Sequence, residues 1–195
     1  MPRNICVFCS SSDVVGSAYF AAADELGSAL ARRGDVLVYG GAKVGLMGTL
    51  ARAVHREGGR VVGVIPGFMA TRGLAYAPAD ELIIARNLRE RKASMENRAD
   101  AFIALPGGFG TLEEMLEIIT LKQLQQHGKP VLFLNTAGFY DPLAALFEHM
   151  RERGFVRACP ERLYYFASDA ADAFRYLDAY RPTSPESKWQ EVAQP

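Results

Sequence analysis

The chain has 195 residues, a formal net charge of zero, 49% hydrophobic and 23% charged residues. That length and composition suit one domain with a full core, and the missing basic surplus argues against a binder of nucleic-acid polymers. No apolar run nears the ~20 residues of a membrane helix, and the opening Met1-Pro2-Arg3-Asn4 lacks a signal peptide's length and cleavage site, so a cytoplasmic protein is expected.

In chain order, the apolar run over 5–9 reads as a first strand. Its Cys6-x-x-Cys9 spacing sets the two thiols on opposite faces, which fits strand packing rather than a redox pair. His55, His127 and His149 are scattered, so no metal site is expected. Ser10, Ser11, Ser12 and Asp13 form a loop. Tyr19, Phe20, Ala23, Leu26, Gly27 and Leu30 mark one face of a helix that ends near Arg32-Arg33-Gly34. A second strand covers 36–39. A glycine turn over 40–48 leads into a helix with Leu46, Leu50 and Val54 inward, stopped by Gly58-Gly59. A third strand covers 61–65 and ends at Pro66. Strand and helix alternating with short connections signal a parallel α/β sheet.

Residues 67–80 read as a loop with room for one helical turn, 81–86 as a short strand, and 87–98 as a helix with Asn87 and Glu90 as a cap pair. A strand over 131–134 follows Lys129-Pro130. Asp141 is expected to cap a helix with Pro142 at its first position and Leu143, Leu146, Phe147 and Met150 inward. A last strand is expected over 163–166, and a helix capped by Ser168 with Ala170, Phe174 and Leu177 inward. The reading gives one domain over 1–180 and a loop-like tail over 181–195, with Trp189 as a possible anchor.

The stretch over 101–114 carries the chemistry. A buried strand over 101–105 stops at Pro106, and Gly107, Gly108 and Gly110 then permit a tight turn with no Cβ between backbone and ligand. Thr111 to Glu114 spells T-x-x-E, so a capping box and a helix start at Thr111 are expected, with Leu112, Met115, Leu116 and Ile119 on the inner face. Strand, glycine turn and helix N-terminus together bind phosphate through free N–H groups and the positive dipole end. Glu113 and Glu114 at the same spot suit a neutral or cation-developing part of a ligand. By helical spacing, Leu88, Arg91, Lys92, Met95 and Ala99 share a face, and two cations on an apolar stripe point to an anion. Arg89 and Arg98 are expected to face solvent. Neither glycine turn has the G-x-G-x-x-G spacing or a Walker lysine, so a nucleoside monophosphate or sugar phosphate fits better than a dinucleotide or triphosphate. Spacing alone gives no reaction.

Pro106-Gly107-Gly108-Phe109-Gly110-Thr111-Leu112-Glu113-Glu114 matches P-G-G-x-G-T-x-x-E in full, with Arg91-Lys92 upstream and Gly40-Gly41, Gly45-Leu46-Met47-Gly48 and Cys6-Val7-Phe8-Cys9-Ser10-Ser11 also in place. On these motifs the chain resembles the LONELY GUY family of cytokinin-activating phosphoribohydrolases, often mislabelled lysine decarboxylases. It departs from many members at Leu88-Arg89, where they have Met-His, and at Leu121, where a tryptophan is frequent. The resemblance implies a doubly wound, Rossmann-like parallel sheet, a homodimer, and no metal or organic cofactor. It implies cleavage of the N-glycosidic bond of a nucleoside 5′-monophosphate, giving free base and ribose 5-phosphate. Arg91 and Glu114 would be the catalytic pair. Ser11, Gly41, Lys92, Gly107, Gly108, Phe109, Gly110, Thr111, Leu112, Glu113 and, further along the helix, Thr120 would bind substrate. A non-catalytic nucleotide sensor on the same fold is the alternative. A pyridoxal-dependent decarboxylase would need a Schiff-base lysine, and none of Lys43, Lys92, Lys122, Lys129 and Lys188 lies in a recognisable setting for one.

Overall fold

The computed structural model describes residues 2–156 and 160–182, so Trp189 and most of the expected tail lie outside the described residues. The short apolar runs become strands β1 (Asn4–Phe8), β2 (Val36–Tyr39), β3 (Val61–Pro66), β4 (Glu81–Ala85), β5 (Ala101–Ala104), β6 (Val131–Leu134) and β7 (Tyr165–Ala167). They pair in parallel in one sheet of order β4-β3-β2-β1-β5-β6-β7. The chain winds outward from β1 through β2, β3 and β4, then returns to β5 on the other side of β1. The topological switch point, where doubly wound sheets hold their ligands, therefore lies between β1 and β5.

The helices are α1 (Ser17–Arg32), α2 (Gly45–Arg56), α3 (Gly67–Ala70), α4 (Leu88–Arg98), α5 (Phe109–Gln123), α6 (Asp141–Glu152), α7 (Pro160–Leu163) and α8 (Ala170–Ala179). Alternation along each strand divides the core. Ile5, Val7, Leu37 and Ile103 pack under α1, α2 and α8, whereas Cys6, Val38, Phe102 and Phe133 pack with Met95 of α4, Met115 of α5 and Phe147 of α6. Cys6 and Cys9 fall in different layers, both buried and unbridged, as the strand reading requires. Burial pushes both thiols up, with the Glu114 carboxylate adding to it.

Several local expectations are corrected. Of the residues expected on the inner face of α5, Met115 is buried and Leu112 and Ile119 pack against the core, whereas Leu116 is exposed; Thr111, Glu114, Ile118 and Lys122 are buried as well. Leu88 and Leu146 are exposed as well. In each case the helix turns a larger share of its apolar surface outward than the sheet can cover. Helix α6 begins at Asp141 with Tyr140 as the cap residue and no side-chain cap, because the Asn135 side chain takes both the Tyr140 N–H and the Asp141 carboxylate. Asp169, not Ser168, caps α8 by accepting from the Asp172 N–H at 2.8 Å. The last strand starts two residues later than expected, since Leu163 ends the short α7. Asn87 does cap α4, but Glu90 reaches the Arg86 N–H rather than completing a box with Asn87.

Candidate active site

Two glycine turns leave the carboxyl edge of the sheet, and they end differently. The N-terminus of α2 is filled by the chain itself. The Asp13 carboxylate accepts the Gly45 N–H at 2.8 Å, and the Ser10 carbonyl accepts those of Leu46 and Met47. Gly45, at φ 57°, lets the Ser11–Ser12 backbone lie directly on this turn. The N-terminus of α5 is open. Gly108 takes the cap position with no side-chain cap, and among the described residues the N–H groups of Phe109, Gly110 and Thr111 have no partner. The helix thus starts two residues before the expected Thr111. Thr111 is buried, its hydroxyl filling the space where a side chain on Gly107 would stand. The T-x-x-E spacing is no capping box here, because Glu114 is used elsewhere.

Glu114 accepts from Arg91 Nη1. Arg91 also donates Nε–H to the Val64 carbonyl of β3 at 3.0 Å. Both side chains are nearly closed to solvent, Arg91 at 7% and Glu114 at 6% exposure. Burial raises the Glu114 carboxyl above its usual range, and the Arg91 charge only partly offsets it. This pairing spans α4 and α5, which pack on the same face of the sheet. Lys92, one residue on, is held by Glu113 and by Glu117, the latter at 2.7 Å. Burial alone would lower its pKa, but the two carboxylates outweigh that and raise it.

A cavity of about 290 Å³ lies at the switch point, lined by Ser10, Tyr19, Leu46, Pro106, Gly107 and Phe139 among others. It touches the Gly107–Gly108 turn directly. Tyr19 and Phe139 meet edge to face across it, with ring centres 5.7 Å apart. Tyr140 donates its hydroxyl to the Leu105 carbonyl, one residue before Pro106, at 2.8 Å.

The structure therefore brings together Arg91, Glu114, Gly107, Gly108 and Thr111, with Lys92 and Glu113 paired beside them. Phe109 stands 94% exposed at the first turn of α5, next to the exposed Gly110 and half-buried Leu112. Ser11 is exposed on the loop that plugs α2. Gly41, at φ 74°, packs on Val64 and Ile65 and gives its carbonyl to the Tyr76 N–H. Thr120 is exposed, donates to the Leu116 carbonyl, and lines a different cavity of about 110 Å³ with Phe147 and Tyr164. Sequence reasoning missed Gly40, Val64, Tyr19 and Phe139. Gly40 carried a signal in the Gly40-Gly41 pair, of which only Gly41 takes a positive φ; the others carried none.

An open helix end at the switch point, beside a buried arginine–carboxylate pair, is the arrangement of a ligand site in a doubly wound α/β protein. The family profile described as "Possible lysine decarboxylase" matches residues 47–177. A probable cytokinin riboside 5′-monophosphate phosphoribohydrolase of Oryza sativa subsp. japonica is 47% identical over 92% of this chain and 73% of its own length. A cytokinin riboside 5′-monophosphate phosphoribohydrolase of Arabidopsis thaliana is 43% identical over 97% and 89%. The chain belongs to this family, the LONELY GUY family. Among solved structures, the molybdenum cofactor binding protein of Rippkaea orientalis has a TM-score of 0.70 at 22% identity, covering 92% of this chain and 97% of that one. The Moco carrier protein of Chlamydomonas reinhardtii gives 0.69 at 24%, covering 91% and 96%. These two share the fold.

Proposed function

We propose that the protein is a phosphoribohydrolase that cleaves nucleoside 5′-monophosphates, with cytokinin riboside monophosphates and AMP as substrates, to free base and ribose 5-phosphate. The observation that carries this is the buried Arg91–Glu114 pair beside the uncapped N-terminus of α5. The 5′-phosphate sits on the free N–H groups of Phe109, Gly110 and Thr111, where a dianion meets the positive end of a fifteen-residue helix. The glycines at 107 and 108 let it approach the backbone.

In the reaction the C1′–N bond breaks, its electron pair leaves with the base, and positive charge builds on the ribose. Ionised Glu114 stabilises that charge or takes the proton of the attacking water. Water gives its hydroxyl to C1′, and its proton ends on the base. Arg91 stays charged throughout and acts electrostatically, on the phosphate or the departing base. Lys92 adds positive charge near the phosphate, after exchange with Glu113. The family likeness adds Ser11, Gly41 and Thr120 as substrate contacts, Thr120 from the separate cavity it lines with Phe147 and Tyr164. The homologues named as phosphoribohydrolases support the reaction type. A Schiff-base lysine has little support: the buried amine, Lys122, is fully covered beneath the Tyr180 ring.

The working unit in this reading is a homodimer. Exposed Leu88, Phe109 and Leu116 sit around the site on α4 and α5, a grouping that a second copy would cover. Among the described residues no helix is long and apolar enough to cross a membrane, and the buried free thiols suit a reducing cytoplasm. Chromatographic detection of adenine after incubation with AMP tests the reaction. Binding of AMP with no release of base would refute it.

A further inference from the structure

We infer that Gly40, at the end of β2, is a positioning residue whose missing side chain seats the Arg91 guanidinium against Glu114. This rests on the reading of Arg91 and Glu114 as the catalytic pair. A Cβ built on Gly40 would stand well inside van der Waals distance of Arg91 Nη2, 3.2 Å from its Cζ and 3.1 Å from Met47 Cε. The backbone does not ask for glycine there: Gly41 has a positive φ and Gly40 does not. What excludes a side chain at position 40 is the guanidinium itself.

Three surfaces then fix Arg91. The Val64 carbonyl of β3 holds Nε, Glu114 of α5 holds Nη1, and bare backbone at the end of β2 receives Nη2. The planar fork leaves little freedom once its three nitrogens are placed. The obstructing atom is the far end of a side chain, so alanine at position 40 is accommodated by moving Arg91 rather than the strand. The damage should fall on the pair and spare the fold.

The consequence is readable at Glu114. Its surroundings are Arg91 and Lys92 from α4, Glu113 on its own helix, and the thiols of Cys6 on β1 and Cys9 just after it. With Arg91 pushed back, burial and Glu113 act against the carboxylate and Lys92 alone supports it. The Glu114 carboxyl should then titrate at higher pH.

The test is Gly40→Ala, read in two ways. With AMP, kcat should fall by about 10²-fold, because a misplacement near 1 Å costs about that much. Without substrate, infrared or carbon-13 NMR titration of Glu114 should move upward. Gly27→Ala is the control, since its Cβ would meet the Leu50 carbonyl at 2.6 Å between α1 and α2, away from the site. It should lower Tm and leave the pH profile in place. In an Arg91→Ala background, Gly40→Ala should have no further effect. Should Gly40→Ala fail to fold, the double variant decides: folding like Arg91→Ala alone supports the inference, and failing as well overturns it. An unmoved Glu114 titration with wild-type kcat also overturns it. If the wild-type protein cleaves no nucleotide, the functional reading fails, yet the Glu114 titration still decides the role of Gly40.

Discussion

Glutamine at position 114 separates chemistry from fold. Glu114→Gln keeps an acceptor for Arg91 Nη1 and removes the charge that faces the reacting ribose. Loss of one electrostatic or acid–base group slows turnover by about 10²-fold or more. The stability effect has two opposing parts. Depriving a buried cation of its partner costs about 3–5 kcal/mol when no acceptor replaces it. Yet the raised pKa of Glu114 shows that its setting prefers the neutral side chain more than water does, even with Arg91 present. Glutamine resembles that neutral form and keeps the acceptor, so the second part wins. Tm at pH 7 should match or exceed the wild type. Glu114→Ala removes the acceptor too and should lose the full penalty. Thermal melts at pH 7, with single-turnover release of adenine from AMP, measure both. A fall in Tm beyond about 6 °C for glutamine, the size expected for about 2 kcal/mol in a chain of this length, would refute the argument. Full activity in Glu114→Gln would leave the carboxylate a structural role and make Glu113 the candidate for the chemistry.

The same carboxyl sets a pH dependence. Its folded-state pKa is raised, so the native state holds the proton longer, and stability falls as pH rises from the usual glutamate range to the folded value, then levels; activity should rise across that window, and Arg91→Ala should move the acid limb upward. Adenosine and AMP compared at equal concentration should differ strongly in favour of AMP, and equal turnover would dispose of the α5 phosphate seat. Lys122→Met should stabilise the protein by about 1–3 kcal/mol in thermal melts, since its buried amine has no hydrogen-bond partner among the described residues. Burial lowers the Lys122 pKa to about 8, so wild-type stability should climb between about pH 8 and the usual lysine range, and the variant should lack that climb. Sedimentation at micromolar concentration should show a dimer; a single species near 21.4 kDa would count against one.

The strands were legible as short apolar runs, β2, β3 and β5 of them closed by glycine or proline, and the right layer of the sheet followed from alternation alone, as with Cys6 and Cys9. The glycine turn at Gly107 was legible for the same local reason. Helix phase was less so. Leu88, Leu116 and Leu146 extend apolar stripes beyond what one sheet can cover, and periodicity cannot say which edge of a wide stripe faces inward. The T-x-x-E reading failed because Glu114 has a partner on another helix, and no local pattern announces a contact across 23 positions. Arg91 and Lys92 stood out in the sequence as cations sharing a helix face with Met95 and Ala99, which are buried, and with Leu88, which is exposed. What they meet in the folded chain, Glu114 for one and Glu113 with Glu117 for the other, is a tertiary fact.

Asp13 has a wider bearing. By accepting the Gly45 N–H it acts as a tethered counterion, doing for α2 what a bound ligand would do for α5. The two halves of the sheet carry the same glycine device, but only the turn at α2 has a carboxylate of its own, and the first N–H groups of α5 have no partner among the described residues. Counting glycine turns along a chain of this kind therefore overstates its ligand sites, and the better count subtracts every turn that has a carboxylate of its own within reach.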